Sequence, residues 1–314
     1  MNAIFTDLDQ RGADLWGTQP LRLRHSLGDL DLFSDESLAS LIDTLPADQV
    51  MINTMAADGH DHGDWAYCDR AGLSGSRIIE AVRNGRLWIN MVRLHRADSR
   101  FRDLLDRIYT EIDQRFPGPR ATKQTLGLLV SSPGAQVYYH CDVPCQTLWQ
   151  LRGRKRIWIY PPTAPFLRPA ELEDVVRRVS EEDVTYETWF DEYAREYELT
   201  PGDMLHWPLN APHRIVNQNV LNVSLTTEHW TFPSRRAYLV NFGNGVLRSR
   251  LGWRPRSRST EGPGFLGKAA LATVWRATGL RDREAAERRP TYIVDPSAPW
   301  GRRPVDSSHE EYAN

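Results

Sequence analysis

Three side chains at two spacings stand out for the chemistry they could do together. His140 and Asp142 flank Cys141, and His213 follows Asp142 by 71 residues. In an extended strand, residues i and i+2 project from one face. His140 and Asp142 can therefore approach one ion from the same side while Cys141 points away. A histidine from a neighbouring strand completes a set of two imidazoles and one carboxylate. That set suits Fe(II) and leaves coordination positions open for other molecules. A competing H-x-D stands at His62-Gly63-Asp64, with His60 beside it. Its Gly- and Asp-rich surroundings read as a solvated loop, with a lid or a separate metal loop as the sharper alternatives. His206, in DMLHWP, reads as a packed strand residue or a pocket wall, and His229 also lies near a strand. His25, His95 and His309 have no supporting context. Cys141 and Cys145 have C-x3-C spacing without a second pair, which argues against zinc.

Lys155 is the other chemically suggestive residue. It begins KRIWIY, where Lys155, Ile157 and Ile159 share one face and Arg156, Trp158 and Tyr160 the other. A lysine turned inward with those isoleucines needs an anion, because an unpaired buried charge is costly. The alternative is a solvated turn lysine in the basic RGRKR cluster.

The surrounding pattern supplies strands to carry these groups. Apolar or alternating stretches at 125–131, 135–140, 146–151, 155–160, 197–199, 203–207, 213–217 and 222–229 are separated by turn residues such as Pro201-Gly202. Such short, regularly punctuated strands indicate an all-β barrel or sandwich. A helical insert is expected between Pro161-Pro162 and the later strands, at about 163–196. Residues 1–119 read mainly as helical. Ser34 is an expected N-cap ahead of Asp35 and Glu36, with Leu38, Leu41, Ile42 and Leu45 on one face. Phe101, Leu104, Leu105, Ile108, Ile112 and Phe116 mark a second amphipathic helix, ended by Pro117-Gly118-Pro119. Beyond residue 232 an Arg-, Gly- and Pro-rich linker is expected to about 264. One helix from 265 onward and a Pro-rich tail follow.

Composition bounds the remaining possibilities. The chain has 314 residues, 25% charged and 40% hydrophobic, with a formal charge of -2. These values exclude collagen, a disulfide scaffold and disorder throughout. Three cysteines fit a reducing compartment. No secretory signal and no 18-residue apolar run are visible, so a cytoplasmic protein is expected. The charge is unevenly spread: residues 1–230 carry net -9, 231–304 carry net +10 and the last ten carry net -3. The basic segment, and 248–304 in particular, reads as a solvated face, a patch docked on the acidic body, or a contact for RNA or an acidic peptide.

The stretches HCDVPCQTLWQLRGRKRIWIYPP (140–162) and ELTPGDMLHWPLNAPHRIVN (198–217) resemble the JmjC, cupin-like class of Fe(II)- and 2-oxoglutarate-dependent dioxygenases. The strand NVSLTTEHW (222–230) resembles the one that follows in that class. The resemblance implies a double-stranded β-helix (jelly-roll) core at 120–232, a helical wrapper at 1–119 and a helical module at 233–314. It implies His140, Asp142 and His213 as iron ligands and Lys155 as the partner of the distal carboxylate of 2-oxoglutarate. The implied reaction is hydroxylation of a C–H bond with O2, 2-oxoglutarate being decarboxylated to succinate; demethylation starts with the same hydrogen abstraction.

One departure stands at Val137, where related hydroxylases often have a Thr that helps bind the cosubstrate. Tyr138, Tyr139, Gln146, Thr147 and Ser224 are candidates to replace it. Trp149, Trp207, Trp230 and Asn222 are candidates for a substrate pocket. A protein or peptide side chain is the expected substrate, with a small molecule or RNA as alternatives. A metal-binding module without turnover is the alternative of a different kind. A homodimer through the C-terminal helix is a further expectation from related enzymes.

Overall fold

The computed structural model describes residues 3–55, 65–178, 184–280 and 290–305. Ahead of the barrel come α1 (Gln10–Leu15), β1 (Leu21–Arg24), α2 (Asp35–Thr44), β2 (Val50–Thr54), β3 (Cys68–Asp69), α3 (Gly75–Asn84), β4 (Leu87–Met91), α4 (Leu94–Ala97) and α5 (Ser99–Arg115). The barrel strands are β5 (Thr122–Ser131), β6 (Gln136–His140), β7 (Cys145–Arg152), β8 (Lys155–Ile159), β9 (Arg195–Leu199), β10 (Asp203–His206), β11 (His213–Asn217) and β12 (Asn222–Trp230). Helix α6 (Pro169–Arg177) lies in the insert between β8 and β9. Helices α7 (Phe232–Leu251) and α8 (Gly262–Ala277) and strands β13 (Tyr292–Val294) and β14 (Arg302–Pro304) follow.

The eight barrel strands divide between two antiparallel sheets. One has the order β1-β10-β7-β12-β5-β4-β2, the other β6-β11-β8-β9. From β5 to β8 the chain changes sheet at every step, and β9–β12 return alongside. This is the jelly-roll arrangement, which closes most edges by wrapping one sheet over the other. The inner faces share an apolar layer that includes Leu148, Ile157, Ile159, Leu205 and Ile215. The outer face of the larger sheet buries Leu126, Leu128, Val130, Trp149 and Leu225 against α2, α3 and α5. On α2, Ser34 accepts a hydrogen bond from the Ser37 amide, as its N-cap position requires.

Three features depart from the sequence expectations. First, residues 1–119 are not only helical: β1, β2 and β4 extend the larger sheet at its two edges. These strands have only four or five residues, too few for alternation to stand out from the adjoining helices.

Second, residues 233–251 form the long helix α7 rather than a linker. It has little apolar stripe and packs through small residues. A Cβ on Gly243 would lie 2.7 Å from the Lys268 carbonyl oxygen of α8, and one on Gly245 would lie 2.6 Å from Arg177 of α6. Its arginines complete the contact. Arg248 pairs with Glu173 at 2.7 Å and Asp174 at 2.6 Å, and Arg258 pairs with Glu173 at 2.7 Å. Part of the basic segment is thus docked on acidic α6.

Third, the Pro-rich tail contributes strands, with β13 pairing in parallel with β3. The stretch 281–289 and the last nine residues lie outside the described residues. Cys68, Cys141 and Cys145 form no disulfide among the described residues. No helix among the described residues is long and apolar enough to cross a membrane.

Candidate metal centre

Strand pairing brings the three candidate ligands together. β6 ends at His140 and β11 begins at His213, and the antiparallel register places these two residues opposite each other. Their ring centroids are 4.2 Å apart. Asp142 follows directly after β6, with Oδ2 3.5 Å from His213 Nε2. One donor atom from each of the three lies within 4.8 Å of the others.

Backbone carbonyls set the histidine tautomers. His140 Nδ1 is 2.8 Å from the Tyr138 carbonyl oxygen, and His213 Nδ1 is 3.1 Å from that of Ala211. A carbonyl only accepts, so Nδ1 donates and Nε2 keeps its lone pair. Burial, and the neighbouring His140, hold His213 well below the usual imidazole range. The site thus offers two neutral nitrogen donors and one carboxylate, a set that fits a divalent ion of the Fe(II) kind. Asn210, left-handed at φ 59°, donates from Nδ2 to the Asp142 carbonyl oxygen at 2.6 Å. It ties the loop after β10 to the aspartate. The Trp207 ring packs 4.7 Å from the His213 ring.

Lys155 lies further along the same barrel interior. It opens β8, is 3% exposed and donates from Nζ to Ser224 Oγ at 2.8 Å. Ser224 in turn donates to Gln150 Oε1 at 2.8 Å, and Gln150 Nε2 donates to Asn222 Oδ1 at 2.8 Å. No ion pair involving Lys155 is found among the described residues. Burial alone pushes its ammonium down to about 7. A carboxylate arriving at Nζ would restore the charge that burial disfavours.

The remaining candidates separate by strand face. On β7, Gln146 shares the inward face with Leu148 and Gln150, and its Oε1 is buried with no hydrogen-bond partner among the described residues. Thr147 faces the other way, with Oγ1 3.0 Å from His206 Nδ1. Trp149 also points outward, donating from Nε1 to Thr227 Oγ1 and packing on Phe5. Tyr139 donates its hydroxyl to the Phe166 carbonyl, outside the barrel. The expected cosubstrate roles of Thr147 and Tyr139, and the pocket role of Trp149, do not fit these placements. Trp230 packs on Tyr238 of α7 rather than beside the histidines. Tyr138 does stand beside the ligands, its ring 5.9 Å from that of His140. Val137 joins the interior apolar layer, and Asn222 belongs to the polar layer around Lys155. His60, His62 and Asp64 lie outside the described residues.

Several site residues escaped the sequence reasoning. Gln150 and Glu228 were legible in principle. They continue the inward series Gln146, Leu148, Gln150 and Asn222, Ser224, Thr226, Glu228. Burial raises the Glu228 carboxyl, and Thr125 donates to it at 3.2 Å. Trp65 and Trp88 had no local signal. Trp65 lies 4.5 Å from Tyr138 and 5.6 Å from Trp88. Together they extend an aromatic wall outward from His140, and that wall exists only because β4 joins the sheet.

Comparison with known proteins bears on the fold. A family model described as a cupin-like domain matches residues 80–231. No curated protein matches the chain. Among solved structures, Escherichia coli ycfD superposes at 18% identity over 86% of this chain and 68% of that one, with a TM-score of 0.50. A structure titled Escherichia coli ribosomal oxygenase YcfD gives 16% identity, 87% and 68% coverage and a TM-score of 0.48. One of YcfD with cobalt and 2-oxoglutarate gives 18% identity, 86% and 65% coverage and a TM-score of 0.46. Residues 80–231 are thus similar to a cupin-like domain, and the mainly β fold with flanking helices expected from the motifs is the fold present.

Proposed function

We propose that this chain, whose residues 80–231 are similar to a cupin-like domain, is an Fe(II)- and 2-oxoglutarate-dependent oxygenase that hydroxylates a C–H bond of a protein or peptide side chain. One observation carries the proposal. Two tautomerically fixed histidines and an aspartate converge within 4.8 Å, in a barrel that also buries a lysine with no carboxylate partner among the described residues. Either feature alone has structural explanations. Together they match a metal ion and a dicarboxylate bound side by side.

In this reading His140 Nε2, His213 Nε2 and the Asp142 carboxylate hold Fe(II). Lys155 Nζ, steadied by Ser224, takes the distal carboxylate of 2-oxoglutarate. Bound iron, 2-oxoglutarate and O2 supply the oxidising power, with succinate and CO2 as co-products. The chain's own residues do the positioning. The carbonyls of Tyr138 and Ala211 orient the imidazoles, and Asn210 orients the segment bearing Asp142. Leu148, Ile157, Ile159 and Ile215 keep water from the space between the ligands and Lys155. The proton on Lys155 Nζ stays there, because the incoming carboxylate stabilises it. The polypeptide substrate follows the class that the two motifs resemble, and the aromatic wall of Tyr138, Trp65 and Trp88 offers it a surface beside His140. An RNA substrate is less favoured, since Arg248 and Arg258 are already paired with α6.

Anaerobic addition of Fe(II) and 2-oxoglutarate to the folded protein tests this. A visible charge-transfer band and slow succinate formation in air are expected. A folded protein that gives neither refutes the oxygenase; the band without succinate marks a binding module without turnover. Peptide, metabolite and RNA pools then identify the substrate by accelerated succinate release.

A further inference from the structure

A cavity of about 980 Å³ opens outside the barrel at the end that carries the histidine–aspartate cluster. Its floor is the end of the larger sheet, with Cys145 of β7, His206 of β10 and His229 of β12. Its walls come from Trp16, from Phe116 after α5 and from Ala237 of α7. The volume is within the roughly 300–1,000 Å³ of small-molecule sites.

The floor is polar and built. His206 and His229 are 2% and 4% exposed. The His206 ring stacks on Trp16 at 3.8 Å and 9°. Its Nδ1 lies 2.8 Å from the Gln146 carbonyl oxygen, so Nδ1 donates there and Nε2 is the acceptor left for the cavity. Burial pushes the imidazole down to about 3, so this acceptor persists at working pH. The lining offers no free cation for an anion, because Arg120 stands 3.6 Å from Asp113 and Asp14 adds negative charge at the rim.

We propose that this cavity binds a neutral aromatic group bearing one N–H or O–H donor, an indole or a phenol, with the donor on His206 Nε2 and the ring among Trp16, Phe116 and Ala237. Such a group comes either as a free small molecule or as a Trp or Tyr side chain of a polypeptide. Trp207 lines the cavity and packs on His213, so an occupant sits one ring away from the metal cluster. Binding at this cavity requires neither iron nor 2-oxoglutarate.

The test uses the metal-free full chain and saturation-transfer NMR with calorimetry. Indole and 4-methylphenol should bind, and benzoate should not. N-Methylindole, which lacks the donor, should bind about three- to tenfold more weakly, the effect of one neutral hydrogen bond. Ala237→Trp, which fills the cavity, should abolish binding while circular dichroism and melting stay near wild type; His206→Phe should erase the difference between indole and N-methylindole. A capped Trp peptide that binds as well as indole points to a polypeptide source, and indole binding without peptide binding points to a free molecule. Absence of indole binding, equal binding of N-methylindole, or wild-type binding by a folded Ala237→Trp variant would overturn the proposal.

Discussion

Replacing Lys155 by Met separates its cost to the fold from its use in binding. Met keeps the length and volume and removes the charge. The lysine is 3% exposed, and Ser224 Oγ, at 2.8 Å, is a neutral partner. Lowering its pKa from 10.5 to about 7 corresponds to roughly 5 kcal/mol of penalty for the buried charge, at 1.36 kcal/mol per unit. The folded pKa is the depressed one, so between about pH 7 and 10.5 the unfolded chain holds the extra proton. Stability therefore rises with pH across that window and is lowest below it. Ligand-free Lys155→Met should be more stable than wild type by roughly 2–5 kcal/mol at pH 6–7. Urea unfolding should show that advantage shrinking by about 1.4 kcal/mol per pH unit from pH 7 to 9. Binding should move the other way. Losing a charge-assisted hydrogen bond of about 1.5–3 kcal/mol weakens 2-oxoglutarate some 10- to 150-fold, measured by calorimetry on Mn(II)-loaded protein. 2-Oxobutyrate, which lacks the distal carboxylate, should bind both forms alike. A variant that binds 2-oxoglutarate like wild type, or gains no pH-dependent stability, would refute the role given to Lys155.

Three further substitutions probe other parts of the structure. His213→Ala should lower Mn(II) affinity at least about 100-fold with the fold intact, read by calorimetry and circular dichroism; unchanged affinity would remove His213 from the ligand set. Asn210→Ala should cost roughly tenfold in metal affinity by releasing the 2.6 Å bond to the Asp142 carbonyl, with no loss of a direct ligand. Glu173→Ala leaves Arg248 and Arg258 without their shared buried carboxylate. With both arginines partly exposed, a loss of about 2–3 kcal/mol is expected in urea melts, and a loss below about 0.5 kcal/mol would show that α7 does not depend on that pairing.

How much of this was legible follows from where each signal is stored. The barrel strands carry theirs locally, in alternation between turn residues, and every strand from β5 to β12 overlaps an expected one. The histidine–aspartate cluster was legible from its i, i+2 spacing, although β6 ends at His140 and Asp142 follows it. Helix α7 stores its signal elsewhere. Gly243 and Gly245 look like breakers in isolation and work because α8 and α6 approach within a Cβ's reach. Arg248 looks like solvated charge until Glu173 is placed opposite it. β2 and β4 are short segments whose partners lie across the fold.

The misplaced site candidates share one cause. Alternation groups residues of a strand into two sets but leaves open which set faces inward. On β7 the sets are Gln146, Leu148, Gln150 and Thr147, Trp149, Leu151. Only the pairing of Gln150 with Ser224 and Thr147 with Thr227 assigns the first set to the side of Lys155. Once that phase is known, the outward placement of Thr147 and Trp149 follows without further information. On β6 the same parity turns Tyr139 away from the His140 face. One inward residue identified by chemistry therefore fixes its strand as far as the next bulge, such as the register shift that lets Val137 of β6 join the interior while Tyr139 does not. Lys155, the costliest side chain to bury, is the strongest such marker in this barrel.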